Sequence, residues 1–305
     1  MACAANPALE GSPTNPSSTP ELVTTEVATL RPSLLSSATP DYGDAAEPSP
    51  EPLQIVTPTP FVPKAILELT QPETPTILSY QVLASYPHDT SAFTQGLLWH
   101  DDKIYESTGL FGESELRVVN LLTGSATQEY PADPAYFGEG LALVDNRLIW
   151  LTWQAETATV HDVSTLEQTG TFTYTGEGWG LCYDGTRLVM SDGSNRLTFR
   201  DANTFEVLGS VQVTHSDGTA VERLNELECV GGLVWANVWL TDVIVVANPD
   251  TGTVVAEVNM EGLIAPHPSI ENGNNVLNGI AYRPDTGTFL ITGKRWPTLF
   301  EVRFN

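Results

Sequence analysis

Phe137-Gly138-Glu139-Gly140-Leu141-Ala142-Leu143, followed after Val144-Asp145-Asn146 by Arg147-Leu148-Ile149-Trp150-Leu151-Thr152-Trp153, decides how this chain folds. Apolar residues fill both halves and turn-forming polar residues separate them, so the stretch reads as a β-hairpin. Glu139 at its start and Trp153 at its finish then lie at the same end. The pattern recurs. Gln95, Glu139, Trp179, Asn225 and Asn278 open equivalent first strands, at steps of 44, 40, 46 and 53 residues. Second strands follow at 103–109, 147–153, 187–193, 233–239 and 288–294. Five units of this length, built from strand and turn signals alone, predict an all-β fold: a five-bladed β-propeller with one four-stranded sheet per unit.

Residues 77–86 read as one more strand, while the fifth unit has three of its own, at 278–282, 288–292 and 299–304. Pairing the two chain ends removes an open edge at each, so residues 77–86 are expected as the outer strand of the last blade. Residues 1–76 are dense in Pro, Ser, Thr and Ala and read as a disordered linker ahead of a propeller domain at 77–305. Cys3, at the head of that linker, resembles the mature start of a bacterial lipoprotein. The expected location is therefore extracytoplasmic, either secreted or lipid-anchored through Cys3, with an incidental cysteine as the alternative. Cys182 and Cys229 lie three and four residues past their anchors, so strand alternation turns them to opposite faces. Two free core cysteines are expected, with no disulfide.

A formal charge of -25 disfavours nucleic acid and anionic membranes, and it favours cationic ligands such as the protonated amino end of a peptide. No apolar run of 18 residues occurs, so no transmembrane segment is expected.

Tyr86-Pro87-His88-Asp89, Ala92-Phe93-Thr94-Gln95-Gly96-Leu97, Tyr105-Glu106-Ser107-Thr108-Gly109 and Ser114-x-Leu116-Arg117 precede the opening hairpin. With Phe137-Gly138-Glu139-Gly140-Leu141, Trp179-Gly180-Leu181, Leu224-Asn225-Glu226-Leu227-Glu228 and Leu277-Asn278-Gly279-Ile280-Ala281, they resemble the plant-type glutaminyl cyclases, also called glutamine cyclotransferases. The resemblance spans about residues 77–305. It implies a five-bladed propeller that converts amino-terminal glutamine of peptides or proteins to pyroglutamate and releases ammonia. It implies no organic cofactor and leaves room for a structural divalent cation in the central channel. A monomer is expected.

That chemistry needs three things. The substrate amine must lose a proton and the leaving nitrogen must gain one, a task one carboxylate near both can perform. Glu139 is the carboxylate at an anchor position and is assigned the proton shuttle, against a structural role at the channel mouth. Negative charge on the former amide oxygen needs donors, which Lys294, Gln95 and Asn225 could supply. On position alone, Gln95 and Asn225 could equally tie strands together and Lys294 could be a rim charge; the resemblance places polar site residues there. Water must also be kept out. Trp153, Trp179 and Trp239 stand where the family has pocket tryptophans, and Phe93 and Phe137 lie at the same pole. Trp99, Trp150, Trp235 and Trp296 read as packing between sheets, and Asp192 and Asn278 as structural polar residues near the pole. Two rivals remain. A metal-dependent propeller lactonase or hydrolase would use Glu139, Asn225, Asn278 and Asp192 as ligands, and a non-catalytic propeller would bind peptides or sugars on its tryptophans.

Overall fold

The computed structural model describes residues 74–305. The linker expected over 1–76, apart from its last three positions, lies outside the described residues, and so does Cys3. Strands β1 (Thr76–Leu78) and β2 (Tyr80–Pro87) precede the first repeat. Blade one is β3 (Thr94–His100), β4 (Lys103–Thr108), β5 (Glu115–Val119) and β6 (Ala126–Pro131). Blade two is β7 (Gly138–Val144), β8 (Arg147–Thr152), β9 (Thr157–Asp162) and β10 (Gln168–Thr173). Blade three is β11 (Leu181–Tyr183), β12 (Leu188–Ser191), β13 (Arg196–Arg200) and β14 (Val207–Gln212). Blade four is β15 (Leu224–Val230), β16 (Leu233–Val238), β17 (Val243–Ala247) and β18 (Val254–Asn259). Blade five combines β19 (Leu277–Arg283), β20 (Thr288–Gly293) and β21 (Thr298–Phe304) with β2 as its outer strand. Each inner strand packs against the next, and β19 returns to β3, so the ring is closed. Among the described residues no helix is long and apolar enough to cross a membrane.

Closure runs through β2 and β21, which pair antiparallel from Tyr80 opposite Phe304 to Pro87 opposite Thr298. The strand expected over 77–86 divides at Ser79. Its first part, β1, instead adds a fifth, parallel strand outside β18 of blade four. Ser79 and Asn305 exchange backbone hydrogen bonds in both directions at that crossing.

Apolar residues fill the seams between blades. Leu97, Ala281 and Leu290 pack where blade five meets blade one, and Leu116, Leu141 and Trp150 between blades one and two. Ile149, Leu181 and Met190 fill the next seam, Val189, Leu224 and Val234 the fourth, and Trp235, Ile280 and Phe289 the fifth. Trp150, Trp235 and Trp296 are buried in these seams and Trp99 packs against one.

The expectation for the cysteines is overturned: Cys182 and Cys229 form a disulfide, with Cα atoms 5.5 Å apart. They belong to β15 and its neighbour β11 in successive blades. Opposite faces are what adjacent blades turn toward each other, so facing away within one sheet's frame means facing together across a seam.

A buried polar cluster lies behind the closure. Glu106 takes hydrogen bonds from Thr94 Oγ1 (2.6 Å) and His88 Nε2 (2.9 Å) on one oxygen and from Arg117 Nε (3.0 Å) on the other. His88 Nδ1 lies 2.8 Å from the Trp296 carbonyl, joining blade one to the segment that carries Lys294. Burial pushes the Glu106 carboxyl up, but the His88 and Arg117 charges outweigh it and hold it at about 2. Ionised Glu106 therefore stabilises the fold above its ordinary 4.5, and about 3 kcal/mol is lost as pH falls from there toward 2. Glu106→Gln removes the buried carboxylate that His88 and Arg117 share, leaving Arg117 only its pair with half-exposed Asp89, and is expected to cost about 3 kcal/mol near neutral pH. It should also flatten the acid-side fall in Tm, which melts at neutral pH and about pH 3 would check.

Candidate active site

The hairpin ends meet at one pole around a cavity of about 380 Å³. Each inner strand departs from regular pairing at its anchor. The register shifts between Thr94 and Gly96, Gly138 and Leu141, Leu224 and Leu227, and Leu277 and Ile280, while β11 begins only after Trp179. A bulge bends a strand and re-aims a side chain, which frees Gln95, Glu139 and Asn225 from alternation and lets them face the cavity. The residue after the anchor sets how closely the blades approach. A Cβ on Gly180 would lie 2.0 Å from the Asn225 carbonyl oxygen, so only glycine fits. Blade four has Glu226 at that position instead. Its carboxyl reaches the N–H groups of Leu97 (3.3 Å) and Ile280 (2.8 Å), in blades one and five, across the channel.

Gln95, Glu139, Asn225, Lys294, Phe93, Phe137, Trp153, Trp179 and Trp239 all line this one cavity. Glu139 is 5 % exposed, and its Oε1 accepts from Gln95 Nε2 at 3.0 Å. Gln95 is itself held by Asn278, whose Nδ2 donates to Gln95 Oε1 (3.2 Å) and to the Thr94 carbonyl (3.0 Å). Asn278 thus stands behind the site and orients Gln95. Asp192 lies outside the cavity wall and receives the N–H and hydroxyl of Ser194 in a local turn.

Burial pushes the Glu139 carboxyl well above the usual range; the Lys294 charge opposes this and the Glu177 charge adds to it. Lys294 is 4 % exposed, and burial brings its ammonium down to about 8 although Glu139 pulls it back up. Its Nζ also sits 4.9 Å from the centre of the Phe93 ring. Burial thereby shifts the acid up and the ammonium down, each toward the other. Asn225 Oδ1 is buried without a partner. Among the described residues no group of three or more His, Cys, Asp or Glu side chains is arranged to hold a metal.

The walls are aromatic. Trp179 and Trp239 meet edge to face with centroids 5.4 Å apart, and Phe137 lies 5.7 Å from Trp153. One oxygen of Glu177 accepts both indole N–H groups, from Trp153 (2.8 Å) and Trp179 (3.0 Å), fixing two walls with one carboxylate. Sequence reasoning did not assign Glu177, or the cavity-lining Leu110, Asn272, Asn274, Asn275 and Arg295, to the site. The asparagines come from the loop between β18 and β19, and the signal for them was the long fourth step of 53 residues.

A family model described as glutamine cyclotransferase matches residues 59–304. The chain is 38% identical to the glutaminyl-peptide cyclotransferase of Arabidopsis thaliana over 229 residues, 73% of this chain and 70% of that one. It also resembles the crystal structure of Myxococcus xanthus glutaminyl cyclase, with 37% identity and a TM-score of 0.70, covering 76% of this chain and 98% of that one. With the closed five-blade ring and a shared cavity for its anchor residues, the chain belongs to the glutamine cyclotransferase family.

Proposed function

We infer that this chain is a glutaminyl-peptide cyclotransferase in which Glu139 carries the proton. The observation behind the assignment is a buried carboxyl with a raised pKa, held by Gln95 and beside Lys294, inside an aromatic cavity.

The free α-amine of a peptide titrates near 7.7–8, and the upward shift of Glu139 makes its carboxylate a stronger base toward that amine than an ordinary one. With Oε1 engaged by Gln95, Oε2 is the oxygen left for substrate. The neutral amine attacks the carbon of its own side-chain carboxamide, forming the ring C–N bond and placing negative charge on oxygen. Glu139 takes one proton from the ring nitrogen and delivers one to the departing NH2. The C–N bond to that nitrogen breaks, ammonia leaves, and the carbonyl re-forms as the lactam of pyroglutamate. Lys294 and the Asn225 amide donate to the oxyanion, and Asn225 Oδ1 accepts an N–H of the carboxamide. Phe93, Phe137, Trp153, Trp179 and Trp239 exclude water, which would otherwise give glutamate. Gln95 acts as a positioning residue for Glu139.

The chemistry uses no organic cofactor. A structural divalent cation in the central channel would draw on oxygens such as those of Glu226 and Asn278 Oδ1, the latter buried without a partner. The lactonase reading is disfavoured by the lysine beside Glu139, which repels a divalent cation. The disulfide between Cys182 and Cys229 supports an oxidising, extracytoplasmic location, secreted or anchored through Cys3.

Incubation with a Gln-initiated dipeptide is expected to release ammonia and to lower the peptide mass by one ammonia. A folded protein that releases none would defeat the assignment.

A further inference from the structure

We propose that the turn carrying Leu110 and Phe111, with Arg295 beside it, is a subsite for the second residue of the substrate and selects an apolar or aromatic side chain there. This rests on the cyclotransferase reading above.

Leu110 lines the cavity with φ at +90°, a conformation that a bulky residue holds only when its surroundings impose it. They do so here. The Leu110 carbonyl accepts from Glu113 N–H (3.1 Å) and Ser114 Oγ (2.7 Å), and Ser114 Oγ accepts from Gly138 N–H at 2.9 Å. The turn therefore hangs from the strand that carries Glu139. Next in the chain, Phe111 is 57 % exposed, yet its ring lies edge to face with Phe137 at 5.5 Å. Phe137 in turn touches Phe93 (6.1 Å) and Trp153 (5.7 Å). The aromatic wall thus continues out of the cavity and ends on a fixed, solvent-facing ring. A lone exposed phenylalanine would need no explanation. Its attachment to the catalytic strand and its continuity with the wall give this one a place.

Arg295 supplies the polar half. It lines the cavity, its guanidinium reaches to 4.0 Å from Glu113, and its Nε is sealed from solvent without an acceptor. When the glutaminyl amine and carboxamide reach Glu139, the rest of the peptide must leave through the mouth. The first peptide carbonyl can then accept from the solvent-facing end of the Arg295 guanidinium while the second side chain lies on Phe111. Glu113 and Arg295 offset each other's charge, which leaves apolar contact as the basis of choice.

The test compares kcat/KM of the wild type, Phe111→Ala, Phe111→Leu and Arg295→Met on the amides Gln-Phe-NH2 and Gln-Gly-NH2, followed by ammonia release. The wild type is expected to favour the phenylalanine amide about tenfold, mostly through KM. Phe111→Ala should bring that ratio close to one, and Phe111→Leu should restore part of it. Arg295→Met should lower both amides alike and leave their ratio unchanged, as a backbone contact requires. A wild-type ratio near one, or an unchanged ratio in Phe111→Ala, overturns the subsite; a shifted ratio in Arg295→Met overturns the carbonyl contact. Glutaminamide, which has no second residue, separates the two claims. If the wild type cyclises it while showing no preference, the subsite fails and the activity stands; no ammonia from any substrate defeats both.

Discussion

Glu139→Gln is expected to lower kcat on a Gln-initiated peptide by about 10²–10⁴, with KM changed little and the fold intact. The glutamine side chain keeps the shape of the carboxylate and can still accept the hydrogen bond from Gln95 Nε2. It cannot take a proton from the ring nitrogen or return one to the leaving nitrogen. The same substitution should not destabilise the protein at alkaline pH. Because the folded Glu139 carboxyl lies above its ordinary 4.5, the native state binds its proton more tightly than the unfolded state. Stability therefore drains as pH rises from that value toward the folded one. A glutamine at position 139 has no such slope, so its Tm at about pH 8 should equal or exceed that of the wild type. Steady-state kinetics and thermal melts on one preparation check both halves. Near wild-type turnover would show that the proton travels by another route.

Lys294→Met should cost about 10²–10³ in kcat by removing a charged donor to the oxyanion. The methionine fills similar space beside Phe93, so the loss reads out charge more than volume. A pH profile adds a signature that a packing defect would not produce. In the wild type, kcat should fall on the alkaline side near 8, where Lys294 loses its proton. That limb should vanish in the variant. The Lys294 charge also opposes the upward shift of Glu139, so removing it should move the carboxyl's titration further up. The two groups titrate as a pair, and the comparison concerns movement of the limbs rather than two separate constants. A loss of less than a few fold, with the limbs unmoved, would remove Lys294 from the chemistry.

Much of the site was legible because the repeats bring Gln95, Glu139, Trp179 and Asn225 to strand starts and Trp153, Trp239 and Lys294 to strand ends at one pole. Periodicity alone then predicts that Glu139, Trp153 and Lys294 share a pole, and they line one cavity. What alternation could not supply were the bulges, since the extra residue in a strand is specified by its partner and by the neighbouring blade. Strict alternation would have turned anchors away that the structure turns inward. Glu177 was missed for a related reason: its role comes from two indoles that its own segment and blade two bring to it. The cysteines show the same limit, because parity within a strand tells which face a residue takes and says nothing about which face of the next blade meets it.

By itself the sequence determined the number of blades, the closing of the ring through its two ends, and the residue types gathered at the pole, because each of these is a periodic property of the chain. Only the tertiary structure decided which atoms meet: the Cys182–Cys229 link, the break at Ser79, the Asn272–Asn275 loop over the cavity, and the opposed shifts of Glu139 and Lys294. Those depend on burial and on partners far apart in the chain, and both quantities exist only once the blades have packed.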